Sequence, residues 1–505
     1  MGTPRHRTAN FLIVPVIVLS ALHPSLLKAQ QNESAAQSDV NTSSPTQQTA
    51  EILHMLAEMR QELKDSRHEV DDLKKEVNEL REELAASTQS SSGADALKSA
   101  VDDLRDDQQV VQAEVKTLDQ TKVGTESRYP LRLNGMILFN SYVVDGAVDN
   151  PILPLIALPR TRQWVHHAMG ASLEQTVLGL SATGPTLWNA RTSADLAVDF
   201  FNTTNYTTIP PPNAMNLRLR TVDANLDWQK SQASFGLQTP LITPLSPTSF
   251  ATVGEPALSW AGNLWTWLPQ ASFTHRRSFT DASRGVFAFG LLDPQAGYAA
   301  SEQEYGIVRR NLQPGYEGRI AYERGEGDRP FELGMSGYYS RQLYYGTATT
   351  QNQALDFWAG TADWRVPLAT FAELSGEFYR GRGIGDLGGG AFKNIVLESG
   401  SEYVSGLNST GGWAQMKFRL KPTLETNAFW GEDSAQASSV RNQVSVTNGS
   451  PYLYLVRNQS VALNLIYRPK TYLVFAGEYR YLKSWYSYGS AKDAQTLDLT
   501  MGYLF

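Results

Sequence analysis

The 505-residue chain contains no cysteine. That excludes a disulfide framework, a thiolate metal centre and a cysteine nucleophile together. Histidine is scarce, and of the 7 residues His6, His23, His54 and His68 all precede residue 130. Adjacent His166 and His167 point in different directions, His275 stands alone, and no serine sits in a nucleophile-elbow sequence. No catalytic residue, metal site or cofactor is therefore assigned, and the chain is not expected to be an enzyme. The glycine run 381–390 (GRGIGDLGGG) has neither the strand-to-helix context nor the Lys-Ser/Thr ending of a phosphate loop. No segment is strongly basic, which removes nucleic acid from the partners. Aromatics are missing from the front: of 11 Trp, 22 Tyr and 19 Phe, only Phe11 and Tyr129 lie before residue 130. Charge is uneven as well. Residues 1–129 hold 14 basic and 21 acidic residues, the whole of the net −7, whereas 130–505 hold 30 of each.

Apolar runs long enough to span a bilayer are also lacking. Phe11 to Leu22, preceded by Arg5 and Arg7 and followed by Ala29, is about half the ~20 residues a spanning helix needs. It reads as a secretory signal peptide over 1–29, with Leu27 an unusually large residue before the cut. Residues 30–48, rich in Gln, Ser and Thr, form a disordered linker by composition. Residues 49–122 then carry a heptad. One seam position holds Leu56, Leu63, Val70, Val77 and Leu84; the other holds Ile52, Met59, Ser66, Leu73 and Leu80. This two-position seam predicts a coiled coil rather than a lone amphipathic helix, whose apolar face is broader. The first run would extend about 50 Å at 1.5 Å per residue. The stretch 85–96 (AASTQSSSGADA) breaks it, and a second run from Leu97 to Leu118 resumes in a shifted register. Such a segment is a stalk that implies oligomerisation, and a trimer fits its mixed Leu, Val and Ile seam.

From Leu131 the period changes to 2. Leu131, Leu133, Ile137, Phe139 and Val143 alternate with Arg132, Asn134 and Asn140; Ala414, Met416, Phe418 and Leu420 alternate with Gln415, Lys417 and Arg419. The polar face carries full charges, and each segment is about ten residues long, the length that crosses a bilayer at a tilt. Sixteen such strands are expected over 129–505. Long connections (145–170, 203–214, 241–267, 293–314, 343–353, 381–410, 434–457 and 485–494) alternate with tight turns at TGPTL near Gly184, near Lys230, and at TDASR, RGEGDR, VPL, KPT and RPK. Eighteen strands follow if 381–410 hides a hairpin. Short turns at one end and long loops at the other mark an outer-membrane barrel. The fold class expected is thus all-β transmembrane, a 16-stranded antiparallel outer-membrane barrel preceded by an α-helical coiled coil.

A sixteen-stranded interior is too wide for side chains to fill and holds water. The third long connection, 241–267, is apolar enough to pack on the inner wall and has Glu255 as its only charge. It is read as a constriction, with a surface or subunit-latching loop as the alternative use of Trp260, Trp265 and Trp267. Arg218, Arg220, Arg319 and Lys417 have lumen parity near mid-strand. Arg132, Arg191, Arg276 and Arg419 lie nearer the short-turn ends. Inward cations favour anions, so a weak anion preference is expected, tempered by Asp223, Asp227, Glu317, Glu373 and Glu377. Asp223 has the opposite parity from Arg220 unless a bulge intervenes.

The last strand places Leu497, Leu499, Met501, Tyr503 and Phe505 on one face and ends the chain on an aromatic. This resembles the terminal sorting signal of bacterial outer-membrane barrels, which implies the barrel assembly machinery as a partner. Export signal, coiled coil, the opening strand RLNGMILFNSY and the closing LDLTMGYLF together resemble the DcaP-like family of trimeric outer-membrane porins. The resemblance implies a homotrimer in outer-membrane lipid, a coiled-coil stalk in the periplasm, and uptake of small, often negatively charged solutes such as dicarboxylates. The broken heptad departs from that pattern. A rival reading is an envelope anchor that reaches peptidoglycan through its stalk, with conduction incidental.

Overall fold

The structure, a computed structural model, describes residues 130–505 except 161–166, 202–215, 295–304, 326–328, 347–348, 402, 442 and 445–449. The export signal, the linker and both heptad runs lie outside the described residues.

Twenty strands follow in chain order: β1 (Leu131–Asp145), β2 (His167–Ser172), β3 (Val177–Leu187), β4 (Ala190–Asp199), β5 (Arg218–Asp227), β6 (Ser231–Gln238), β7 (Leu268–Thr280), β8 (Ser283–Leu292), β9 (Ile307–Asn311), β10 (Gly315–Arg324), β11 (Phe331–Gly346), β12 (Thr349–Ala369), β13 (Ala372–Arg382), β14 (Ile395–Leu397), β15 (Val404–Gly406), β16 (Asn408–Lys421), β17 (Leu424–Ala435), β18 (Leu455–Lys470), β19 (Leu473–Tyr486) and β20 (Lys492–Leu504). Eighteen of them form one antiparallel sheet. β2 and β3 pair with the two halves of β1, so they are one strand interrupted at 173–176. β9 and β10, both paired with β11, are likewise two pieces of one wall strand. The sheet therefore has sixteen strands. It closes on itself where β1 pairs with β20, from Met136↔Leu504 to Asp145↔Gln495. Gly135 and Phe505 exchange both backbone hydrogen bonds at 3.0 and 3.1 Å, so the terminal residue completes the seam. The hairpin within 381–410 does exist as β14–β15, but it is a separate two-stranded sheet, and the wall keeps sixteen strands.

Several expected turns move. β3 runs through TGPTL, where an irregular register between Thr183 and Thr186 accommodates Pro185. The reversal comes at Trp188 and Asn189, both with positive φ (51° and 61°), the conformation of a two-residue hairpin whose twist matches its strands. β12 continues through the VPL segment, and the chain turns at Thr370–Phe371 instead. The connections expected at 343–353 and 485–494 shrink because β11, β12 and β19 extend into them. Tyr344 and Phe357 are fully buried there against Ile395, Val404 and Leu453 from two folded loops. That apolar cover keeps the alternation going past the expected strand ends.

The exposure pattern is inside out. On β20, Leu497, Leu499, Met501 and Tyr503 are about half exposed and point outward, whereas Thr496, Asp498 and Thr500 are buried and point inward. The outer wall repeats this with Leu133, Phe139, Phe235, Phe289, Ile320, Met335, Trp358 and Trp430. Leaving such side chains in water forfeits roughly 1.5–3 kcal/mol each, so the surface belongs against lipid. At the long-loop end the connections pack into a core of their own. Ile156 and Leu158 of the first loop, Trp260 of the third, Phe392 and Val396 of the sixth and Val440 of the seventh share one buried cluster. Trp260 stacks on Phe392 at 4.0 Å. Lys393 is fully buried there, and its Nζ donates to the carbonyls of Ala391, Tyr452 and Leu455. Burial pulls its pKa down to about 7.

Candidate functional site

The third loop joins β6 to β7, and its prolines at 240, 244 and 247 remove backbone donors that would otherwise seek a strand partner. The loop lies along the inner wall. Thr361 Oγ1 on β12 donates to the Ile242 carbonyl at 2.9 Å. The Thr248 amide donates to Gln415 on β16 (2.6 Å), and Asn464 on β18 donates to the Thr248 carbonyl (2.8 Å). Ser249 donates to Glu478 on β19, and Asn140 on β1 donates to the Phe250 carbonyl. In the gap between β2 and β3, Gln175 turns inward: its amide donates to the Ala251 carbonyl, and its carbonyl accepts from the Val253 and Gly254 amides at 2.6 and 2.8 Å. The interruption of that strand thus has a use, since it frees a fully buried glutamine to hold the loop. The return leg passes β18, where Asn458 donates to the Trp260 carbonyl, and presses Gly262 against Gly412 and Glu432.

Arg218 and Arg220 sit at the long-loop end of β5. A bulge at Arg220 keeps both facing inward and then restores Asp223 to the same face, opposite Asp195. Both guanidiniums bind the fully buried Asp199: Arg218 through Nε (2.9 Å) and Nη2 (2.6 Å), Arg220 through Nη1 (2.8 Å). They also donate to the carbonyls of Gly254 and Val253 and lie over the Trp267 ring. Their charge is spent on latching the third loop. Glu255 beside them is 6% exposed, and burial pushes its pKa up to about 7 despite the nearby Arg218. It does not face open water. Arg319 is 7% exposed and is held by Asp363 and by Glu332 at 2.8 Å, so two carboxylates enclose one cation.

The short-turn half of the lumen is different. Lys417 and Arg419 on β16 and Arg468 on β18 surround one carboxylate, Glu425, at 3.8, 4.0 and 3.9 Å. Lys417 also stands opposite Glu373 on β13, so cations and acids interleave on this wall. Arg468 also lies 5.3 Å from the Phe250 ring at the tip of the third loop. Half the circumference away, Asp195 and Asp223 face each other across β4 and β5, with Asp227 two residues further along the same face. Ser181 and Asn225 donate to the first two, and among the described residues no Lys or Arg forms an ion pair with any of the three. Arg191 and Arg276 are exposed on this side, and Arg132 on β1 is exposed at the same end. Sequence parity found Lys417 and Arg419. It passes over Arg468, which stands where a strand meets the RPK turn, and Glu425, Asp363 and Gln175, whose roles depend on what lies across the barrel.

No protein-family model and no curated protein matches the chain in sequence. Solved structures do match in fold. The outer-membrane channel DcaP of Acinetobacter baumannii superposes with a TM-score of 0.58 at 13% identity, over 75% of this chain and 99% of that one. An anion-selective porin from Comamonas acidovorans gives 0.47 at 11% identity, over 75% and 100%. OprB of Pseudomonas putida gives 0.45 at 12%, over 74% and 94%. The chain is a closed 16-stranded antiparallel barrel with the fold of the DcaP channel, and the likeness read from the sequence is met at the level of the fold.

Proposed function

We propose that the protein is an outer-membrane porin, a water-filled channel through which small hydrophilic solutes diffuse, with a weak preference for anions such as dicarboxylates. The observation that carries the reading is the third loop laid inside a closed barrel, with Lys417, Arg419 and Arg468 gathered around Glu425 on one wall and Asp195, Asp223 and Asp227 on another. A solute crossing there meets a transverse field, positive on the wall beside the loop tip and negative on the other. On this reading the rate-setting charges are Lys417, Arg419 and Arg468 rather than Arg218, Arg220, Arg319 or Glu255. Arg132, Arg191 and Arg276 set the approach from the short-turn end, which faces the periplasm.

The remainder of the reading concerns residues before 130 and partners. Residues 1–29 direct export, 30–48 link, and 49–122, broken at 85–96, form a periplasmic coiled coil that joins three copies and reaches the cell wall. Leu497, Leu499, Met501, Tyr503 and Phe505 present the face the assembly machinery reads.

Conductance of the purified full chain across a planar bilayer tests the channel. Stepwise conductance is expected, with a reversal potential in a salt gradient displaced towards that of the anion. Absence of conductance would overturn the channel reading and leave the envelope anchor, while strong cation selectivity would overturn the anion preference alone.

A further inference from the structure

The outer wall should carry only lipid-compatible side chains, yet its long-loop rim is unevenly charged. Arg310 on β9, Arg341 on β11 and Arg380 and Arg382 on β13 have outward parity, and all but the partly buried Arg382 are exposed. Asp356 is the one acid on the same stretch of wall, paired with Arg341 at 3.2 Å. Among the described residues Arg310, Arg380 and Arg382 have no carboxylate partner. On the outward faces of β3 to β8 at the corresponding end stand Leu178, Val198, Leu219, Leu237, Ala271 and Leu291, with no cation. On β17 to β20, Arg457 is paired with Glu432, and Lys483 stands opposite Asp493. The surplus is confined to the neighbouring strands β9 to β13.

Height along the wall decides what those cations meet. Arg380 follows Phe371, in the short turn, by nine residues, and Arg341 follows Pro330 by eleven. Nine to eleven tilted residues span the hydrocarbon of a bilayer, so both guanidiniums emerge where headgroups begin. Tyr339 and Trp358, cross-strand neighbours with Arg382 in the next register position, form an aromatic row at that boundary. Arg310 lies over the Tyr345 ring at 5.4 Å. Three glycines in register, Gly318, Gly337 and Gly360, lower the wall beside Arg380, and a Cβ on Gly360 would meet nothing within 4 Å.

We infer that the β9–β13 face binds the phosphorylated headgroup of a glycolipid in the outer leaflet. The inference rests on the outer-membrane orientation, with long loops outside. Arg suits this ligand because its planar fork meets phosphate oxygens bidentately, and the aromatic row and the glycine hollow accept the sugar and the first carbons of the acyl chains.

The test titrates bisphosphorylated lipid A, and the same lipid stripped of both phosphates, onto the full chain in detergent micelles, read by native mass spectrometry. Lipid A is expected to bind at least about tenfold tighter than its phosphate-free form. Arg310→Gln, Arg341→Gln and Arg380→Gln should each weaken it about fivefold, the factor equivalent to ~1 kcal/mol per basic residue at an anionic surface. Arg457→Gln should change nothing, and the Arg→Lys triple variant, which keeps the charge but not the planar fork, should bind more tightly than the Gln triple variant and less tightly than the wild type, which separates charge from folding. Equal binding of the phosphate-free lipid, an unaffected Gln triple variant, or an equal loss in Arg457→Gln would overturn the inference. So would displacement by equimolar inorganic phosphate, which would make the ligand a free anion. A change in subunit stoichiometry without loss of lipid would make the face a contact between copies, and that too would overturn it. Because conductance is measured separately, failure here leaves the channel reading untouched.

Discussion

Arg218 and Arg419 are both inward arginines, and they are not equivalent. Arg218 shares Asp199 with Arg220 and holds the Gly254 carbonyl, whereas Arg419 lies with Lys417 and Arg468 around Glu425 in the lumen. Arg419→Gln is therefore expected to reduce anion preference, read as a shifted reversal potential, with conductance nearly unchanged. Arg218→Gln leaves the buried Asp199 with Arg220 as its only cation among the described residues, beside the Phe201 amide, at a cost of about 3–5 kcal/mol, and should make the third loop cleavable by protease before it alters selectivity. Glu255 adds a pH term. Its folded pKa of about 7 lies above the unfolded 4.5, so the protonated form is the one the fold prefers. Its contribution is fully present below about 4.5 and is lost as pH rises through 7. Protease resistance of residues 241–267 should fall between about pH 4.5 and 7 in the wild type and level off above that, and Glu255→Gln should flatten that dependence.

At the scale of the element, the third loop stays in place through backbone contact as much as through charge. Gly262 has φ +106°, and a Cβ there would lie 2.1 Å from the Gly412 carbonyl oxygen. Gly262→Val cannot be accommodated without lifting the return leg, a strain of order 1–3 kcal/mol. Single-channel records of this variant should show larger and noisier conductance than the wild type; an unchanged record would mean the loop does not line the narrowest point. The strands themselves were legible because inward polar and outward apolar residues alternate without interruption, as in Leu497 to Phe505. Their upper ends were not, since Tyr344 and Phe357 prolong β11 and β12 only through contact with distant loops. The broken strand β2–β3 was invisible for a similar reason: nothing near Gln175 signals the loop it binds 76 residues away.

For the whole molecule, closure leaves the barrel wall with no free edge, as lipid requires, and the segment before residue 130 is a separate matter. Deleting 49–122 should leave the conductance of reconstituted protein unchanged while abolishing co-sedimentation with cell-wall material. If single-channel steps change size, the segment acts on the pore and the stalk reading fails. The barrel also spends its interior unevenly. Much of the inner wall from β11 to β20 is covered by the first, third, sixth and seventh loops, and the inner faces of β4 to β7 keep partial exposure. Solute passage is therefore expected off the barrel axis.

The sequence by itself determined the barrel and its sixteen or eighteen strands, because period-two alternation and ten-residue spacing are local properties that lipid and water act on directly. That the 381–410 hairpin stays out of the wall took the tertiary structure. The sequence also determined the inward parity of Lys417 and Arg419, though not that of Asp223, which the bulge at Arg220 sets. Only the tertiary structure decided what each of those charges is paired with. Pairing depends on which side chains the cross-strand register and the path of the third loop bring within about 4 Å. That proximity turned Arg218 and Arg220 into latches, enclosed Arg319 between carboxylates, and gathered Lys417, Arg419 and Arg468 around Glu425.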